Sequence, residues 1–481
     1  MLYRQKFDTF IRNYNDFGYI VNISNFDRVV DASGSVFLAA LSRNSKTLDA
    51  LCQEIAMNFV DVASEDIRQD AADFFAILEK DGFIVSGETE AELNKKDSHF
   101  SYDAQEPKTI KTDFTPGIKR ADKNTQEYLY EHFKDNPRLM SFQIELTGRC
   151  NERCVHCYIP HKNKISDITP SLFYDTLEQC SHLGILGLTL SGGEPMLHPL
   201  FCDFLRRLKT YDFWIYILCN LTLLNDEIIA EMKESRICGV QVSLYSMNPA
   251  IHDSITKLPG SFYKTRDNIL RLIKNDIPLR ISCPTMKLNK NCFIDVLKWA
   301  KEHKVRAETD YIMMARYDHT CDNLDNRLDL DEVGKIIKDI IEYDQSYKDE
   351  LLSTNFTEVE SHDTSNDFVC GACVDSICMV SNGNVYPCAG WQDYVCGNVR
   401  KTPLKEIWGK SPKVQYIRNL RKKDFPECTS CSDKSFCAMC MVRNANENAE
   451  GNPLIINEHF CKVAKLNRKI VFEWKEKQKN T

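Results

Sequence analysis

Twenty-one cysteines stand in this chain, and thirteen of them are gathered into two fields. Three fall within eight residues, at Cys150, Cys154 and Cys157, and ten lie between Cys370 and Cys461. An odd count in a chain of 481 residues does not describe a small disulfide scaffold. The opening stretch MLYRQKFDTF lacks the apolar core of a signal peptide, so a cytoplasmic location is expected. Thiols there are kept reduced, and grouped thiolates are metal ligands. The eight scattered ones (Cys52, Cys180, Cys202, Cys219, Cys238, Cys283, Cys292, Cys321) read as small apolar core residues.

Hydrophobic residues make up 43% and charged residues 27%, the balance of a globular protein. The net charge of 61 − 69 = −8 argues against nucleic acid as a partner. No apolar run approaches the ~18 residues of a membrane span, so no membrane is expected either.

Four regions follow from the pattern. Residues 1–86 carry apolar stretches at Phe17–Asn22 and Phe26–Val30, then helical spacing over Ser33–Leu41, Leu48–Phe59 and Glu65–Lys80, then a strand at Gly82–Val85. This order predicts a winged-helix-like domain with an accessible sheet edge. Residues 87–138 are polar, with prolines, and read as a linker. Residues 139–345 alternate strands and helices. The strands are expected at Phe142–Leu146, Leu186–Leu190, Trp214–Leu218, Val240–Leu244, Leu279–Cys283 and Glu308–Met313. Six such units predict an α/β fold, a (β/α)6 partial TIM barrel whose chemistry lies at the C-terminal ends of the strands. Residues 346–481 lose regular pattern as cysteines become dense, the mark of a domain held by metal.

Cys150-x3-Cys154-x2-Cys157 follows the first barrel strand. Three thiolates on one loop can hold three corners of a [4Fe–4S] cube and leave one iron open; a zinc loop completed by His156 is the competing reading. The second strand runs into Ser191-Gly192-Gly193-Glu194-Pro195, where glycines admit close backbone approach and a carboxylate can grip an ammonium. Together these motifs resemble the radical S-adenosylmethionine superfamily over roughly residues 140–345. The resemblance implies a cluster on Cys150, Cys154 and Cys157 whose open iron is chelated by S-adenosylmethionine. It implies further that Gly192, Gly193 and Glu194 hold the methionine ammonium, that His156 lies by the adenine, and that Ser243 meets the methionine carboxylate.

The second field runs Cys370, Cys373, Cys378, Cys388, Cys396, then Cys428-x2-Cys431-x5-Cys437-x2-Cys440, then Cys461. Zinc ribbons separate their CxxC pairs by about twelve residues or more, against five here, which favours iron–sulfur. The field resembles the SPASM extension of peptide-modifying radical enzymes, which implies two auxiliary [4Fe–4S] clusters and three in all. By that pattern Cys370 or Cys373, with Cys388 and Cys440, serves one, with Cys373 or Cys378 as its fourth ligand. Cys428, Cys431, Cys437 and Cys461 serve the other. The final C-x2-C departs from the usual C-x3-C, which leaves Cys437 and Cys440 open between the two, and Cys396 is an extra candidate. Sulfatase-maturating relatives carry an aspartate where this chain has Ala389, so formylglycine formation is not expected.

Residues 17–85 resemble the PqqD-type recognition element that binds the leader of a ribosomal precursor peptide as an added strand. Nucleic-acid binding is disfavoured, because the third helix carries one Arg and one Lys against five acidic residues through Lys80. The resemblance therefore implies a peptide maturase served by an electron donor such as flavodoxin or ferredoxin. A thioether from a cysteine sulfur to a carbon is the expected product, with a carbon–carbon crosslink as the alternative. A non-catalytic, zinc-stabilised peptide-binding protein is the reading from another class. Arg316 and Asp393 are polar residues near the expected edge of the site. No catalytic residue is assigned.

Overall fold

A computed structural model describes residues 1–14, 16–24, 26–97, 100–103, 125–163, 166–356 and 363–479. The chain opens with β1 (Leu2–Gln5), β2 (Thr9–Asn13), β3 (Phe17–Asn22) and β4 (Asp27–Asp31). Helices Ala32–Ala40, Leu48–Ala56 and Ser64–Lys80 follow, with β5 (Lys46–Thr47) between the first two and β6 (Ile84–Gly87) after the third. Two three-stranded sheets result, ordered β2-β3-β4 and β5-β1-β6. β1 and β2 go beyond what the pattern predicts. β6 begins two residues later than expected because Gly82, at φ +80°, ends the preceding helix with its N–H on the Glu79 carbonyl. Leu38, Leu51, Ile55, Ala71, Phe75 and Phe83 pack the interior of this region. Helices Glu90–Lys96 and Thr125–Phe133 lie in the expected linker, whose stretch AQEPKTIKTDFTPG is outside the described residues.

Six parallel strands then build the main sheet: β7 (Ser141–Thr147), β8 (Gly187–Gly192), β9 (Trp214–Cys219), β10 (Ile237–Ser243), β11 (Leu279–Ser282) and β12 (Arg306–Glu308). Helix Pro170–His182 starts as its residues dictate, with the Thr169 side chain accepting from the Leu172 N–H and proline in the first turn. The sixth strand is earlier and shorter than Glu308–Met313. The Asp310 carboxylate accepts the Ile312 N–H at 2.9 Å, an Asx turn that takes the chain out of the sheet, although Tyr311 and Met313 stay buried.

The sheet continues into the cysteine-rich region. β13 (Ser376–Met379) lies parallel to β7, with Ser376 opposite Ser141 and Met379 opposite Ile144. β14 (Asn384–Tyr386) and β15 (Gly397–Asn398) add antiparallel strands, giving the order β12-β11-β10-β9-β8-β7-β13-β14-β15. The second cysteine field is thereby fixed to the barrel by backbone pairing. Among the described residues no helix is long and apolar enough to cross a membrane.

The β2-β3-β4 sheet closes the N-terminal ends of the barrel strands. Phe10, Tyr14, Phe17 and Tyr19 pack with Leu186, Trp214 and Cys238, and Phe10 stacks on Trp214 at 5.9 Å. Asp212 joins the two parts: its carboxylate takes Arg43 at 2.5 Å, the Ile11 N–H at 3.1 Å and Arg12 at 3.4 Å. Burial alone would raise this carboxyl, but Arg43 and Arg12 outweigh it and hold it below its ordinary value. A group so lowered contributes stability above its unfolded pKa of about 4, and loses it as pH falls through the folded value. Asp212→Ala is expected to cost about 2 kcal/mol, less than a fully buried pair because the carboxylate is partly exposed. Urea unfolding at pH 7 should show that loss, and the difference between variant and parent should shrink on acidification below pH 4.

Candidate active site

The cysteine loop emerges from β7 and is held before any metal is considered. Thr147 Oγ1 and Arg149 both bind Asp167, at 2.5 Å and at 2.7–2.9 Å. Arg316, buried, donates to the Cys157 carbonyl at 2.8 Å while pairing with Asp322 at 2.8 and 2.9 Å. The role of Arg316 is thus to clasp the loop. Cys150, Cys154 and Cys157 remain half-buried.

Both glycines of the second motif are required by space. A Cβ on Gly193 would stand 2.2 Å from the Arg149 carbonyl oxygen and 2.9 Å from Cβ of Cys150. One on Gly192, at φ +142°, would stand 2.3 Å from the Thr147 carbonyl oxygen. The Ser191–Pro195 turn therefore presses its backbone against the cysteine loop. Glu194 is fully buried; its two oxygens accept the Met196 N–H at 3.1 Å and the Asn220 N–H at 2.6 Å. Burial pushes its carboxyl up to about 8, against the pull of those two donors. Asn220 in turn donates to Asn151 Oδ1 at 2.8 Å, and Asn151 to Thr222 at 2.7 Å. The loops after β7, β8 and β9 are thus one network. Asn151, Asn220 and Thr222 were not legible as site residues, since their partners are set by loops brought together only in the fold.

His156 packs edge-on against Tyr245, rings 5.0 Å apart, with its Nε2 3.4 Å from the phenol oxygen. Ser243 ends β10, two residues before that tyrosine. The expected S-adenosylmethionine residues Gly192, Gly193, Glu194, His156 and Ser243 therefore gather at the C-terminal ends of β7, β8 and β10.

The second field meets the barrel on its open face. Glu145, 4% exposed on β7, accepts from Gln392 at 2.7 Å, and Gln392 also donates to the Ala389 carbonyl at 3.1 Å. The Tyr158 phenol is pushed up by burial first, then by Glu145, Cys157, Cys388 and Cys378. Asp393 bonds His319 Nε2 at 3.2 Å at the rim.

Cys370, Cys388 and Cys440 converge: burial, then the neighbouring thiols, raises Cys370 to about 12, and Cys440 contributes likewise at Cys388. Cys378 lies by Cys388. Cys373 lies by Cys396 and Cys370, and its thiol is raised by Cys396 first and then by burial. Cys428, Cys431, Cys437 and Cys461 line a cavity of about 410 Å³. Cys428 is pushed up to about 12 by burial and then by Cys437, Cys461 and Cys431. Among the described residues, no three or more His, Cys, Asp or Glu side chains close to the spacing of a single ion. Cys428, Cys431, Cys437 and Cys461 do ring a cavity, and an all-sulfur donor set of this kind is the one that iron–sulfur clusters take.

Comparison with known proteins agrees with this geometry. Residues 144–314 match the radical SAM superfamily and residues 370–432 match SPASM, an iron–sulfur cluster-binding domain. The AdoMet-dependent heme synthase of Methanosarcina barkeri is 25% identical over 329 residues, 64% of this chain and 92% of that protein. The antilisterial bacteriocin subtilosin biosynthesis protein AlbA of Bacillus subtilis is 25% identical over 320 residues, 65% of this chain and 69% of AlbA. Streptococcus suis SuiB, solved with precursor peptide SuiA, shares the fold over 95% of this chain and 99% of SuiB, with TM-score 0.59 and 17% identity. The chain thus carries a radical SAM domain over residues 144–314 followed by a SPASM domain over residues 370–432, the domain architecture of a catalytic radical SAM enzyme.

Proposed function

We propose that this enzyme modifies a ribosomally made precursor peptide, forming a thioether between a cysteine sulfur and a carbon. The observation that carries the peptide reading is the likeness to SuiB, which extends through the N-terminal sheets to nearly the whole of both chains. When bound, the cluster on Cys150, Cys154 and Cys157 and its S-adenosylmethionine supply a radical able to remove hydrogen from an unactivated carbon. The chain's own part is to seat the peptide and exclude water. Polar side chains line the barrel interior for that purpose: Gln143 bonds Ser191 at 2.6 Å, Arg280 bonds Glu308 at 3.2 Å, and Glu145 faces the Cys388 loop through Gln392. Cys370, Cys378, Cys388 and Cys440 would hold one auxiliary cluster beside the interior, able to take the electron left when sulfur bonds carbon. Cys428, Cys431, Cys437 and Cys461 would hold the other, open to an electron carrier such as flavodoxin or ferredoxin. The carbon–carbon crosslink remains the second reading, since the same geometry serves it.

Leader recognition falls to the PqqD-like region. β4 is one of the two edge strands of its sheet, and a groove of about 370 Å³ runs beside it between Val30, Asp31, Gly34, Phe37, Asp70 and Phe74. An extended peptide can add to such an edge, its backbone giving affinity and the groove giving selectivity. Phe74→Ala is expected to raise the precursor Kd about tenfold in an anisotropy titration. The function itself is tested by coexpression with short peptides encoded beside the gene, followed by mass spectrometry. Loss of two hydrogens with disappearance of an alkylatable thiol supports the thioether. The same loss with every thiol retained supports the carbon–carbon bond, and an unchanged peptide mass in every case contradicts the proposal.

A further inference from the structure

Just beyond β12 stands a carboxylate that no sequence motif marks, that of Asp310. Along this strand Ala307 is buried in the core on the helix side, while Arg306 and Glu308 take the interior face. Thr309 is buried again, its hydroxyl donating to the Cys283 carbonyl at 2.8 Å. Two hydrogen bonds continue the pairing with β11 past the ends of both strands. The Cys283 N–H donates to the Glu308 carbonyl at 2.8 Å, and the Thr285 N–H donates to the Asp310 carbonyl at 2.6 Å. The alternation therefore runs on, and Asp310 follows Glu308 onto the interior face at the C-terminal end of the barrel.

Other carboxylates on this face are engaged: Glu308 by Arg280 at 3.2 Å and Arg306 at 3.5 Å, and Glu145 by Gln392 at 2.7 Å. Asp310 Oδ1 accepts the Ile312 N–H at 2.9 Å, and among the described residues no hydrogen bond or ion pair reaches Oδ2. The side chain is exposed, yet burial is the largest influence on its carboxyl and raises it, opposed by the Ile312 N–H and Arg443 and aided by Glu308. A group both open to water and ringed by protein lines an inner hollow rather than the outer surface. Its walls are fixed. Arg327 donates to the Met313 carbonyl at 2.6 and 3.1 Å, and Asn446 Nδ2 donates to the carbonyls of Ala315 at 3.2 Å and Gly390 at 2.9 Å. These bonds join the segment after Asp310 to the Cys388–Gln392 turn and to helix Met441–Asn446, which carries Arg443.

We propose that Asp310 is a catalytic residue, the general base that takes the thiol proton of the peptide cysteine as its sulfur bonds to carbon. The inference rests on the thioether reading of the function. In that step carbon gives a hydrogen atom to the radical derived from S-adenosylmethionine, and the thiol gives its proton to Asp310 Oδ2. Sulfur then brings an electron pair and carbon one electron; two of the three form the C–S bond, and the third leaves to an oxidised iron–sulfur cluster. A free thiol ionises near pH 8.5, about, so at pH 7 most of it still holds its proton and a base is needed. A carboxylate raised toward the thiol's own value takes that proton with less loss than an ordinary one.

Thioether product and 5′-deoxyadenosine are measured together, anaerobically, with the cysteine-bearing peptide that coexpression identifies. Asp310→Asn keeps an acceptor for the Ile312 N–H and removes the base. Deoxyadenosine should still form, and the precursor Kd should hold within about twofold. Thioether per deoxyadenosine should fall about a hundredfold at pH 7, the share of one general base. That ratio should then rise about tenfold per pH unit toward about pH 8.5, as the thiol ionises without help. Asp310→Glu, which keeps a carboxylate, should restore about a tenth of the parent ratio or more. The unaltered protein answers the same question even if both variants misfold. Its ratio should drop as the pH falls through a value above the ordinary aspartate value of about 4, where Asp310 takes up a proton. A ratio unchanged in Asp310→Asn, a loss that higher pH does not repair, or a flat ratio from pH 8 down to about pH 4 in the unaltered protein overturns the proposal. If the unaltered protein forms no crosslink, or forms one with every thiol retained, the thioether reading fails first and the proposal falls with it.

Discussion

Joint replacement of Cys150, Cys154 and Cys157 by alanine is expected to abolish 5′-deoxyadenosine formation while about two thirds of the iron remains, the share of two clusters in three. The loop should survive the change because its fixings are not made by sulfur. Arg316 holds the Cys157 carbonyl, Arg149 holds Asp167, and Asn151 is bound to Asn220 and Thr222. None of these contacts uses a thiol, so thermal unfolding should change little. The deoxyadenosine assay with dithionite as reductant and iron counting on the same sample check both halves of the expectation.

Replacement of Cys388 or Cys440 by alanine should separate the two parts of the reaction. Deoxyadenosine should still form, because the loops after β7, β8 and β10 are untouched. Crosslinked product should fall by about a hundredfold or more, since losing even an outer-shell partner of a metal site costs 10–100-fold and these are proposed as direct ligands. The geometry behind this is local. Cys388 opens the Cys388–Gln392 turn, and Gln392 binds Glu145 inside the barrel. A cluster held there borders the space where a peptide would react, whereas the cavity of Cys428, Cys431, Cys437 and Cys461 lies apart from it. Product and deoxyadenosine measured in one anaerobic reaction give the ratio directly.

What the sequence disclosed, and what it hid, follows from the range of the interactions involved. Strands β7 to β11 were legible to within three residues at their ends because each alternates a buried face with the barrel interior in an unbroken run, as Phe142, Ile144 and Leu146 do on β7. The cysteine spacings and the glycine pair were legible because their constraints are local: a Cβ at Gly193 collides with a loop that any such motif must meet. β1 was hidden because its partner is far along the chain, Leu2 lying opposite Gly87. The extension of the sheet by β13 was hidden for the same reason, since Ser376 pairs with Ser141. Arg316 could not be told from a surface group, because its targets are backbone carbonyls and a carbonyl leaves no mark in a sequence. β12 was misplaced because Tyr311 and Met313 are buried without being a strand, a consequence of the turn at Asp310.

The most direct measurement is made on the unaltered chain, reconstituted anaerobically with iron and sulfide, then given dithionite and S-adenosylmethionine. About twelve iron atoms per chain together with 5′-deoxyadenosine are the predicted result. Zinc in place of iron, with S-adenosylmethionine left intact, would contradict the account.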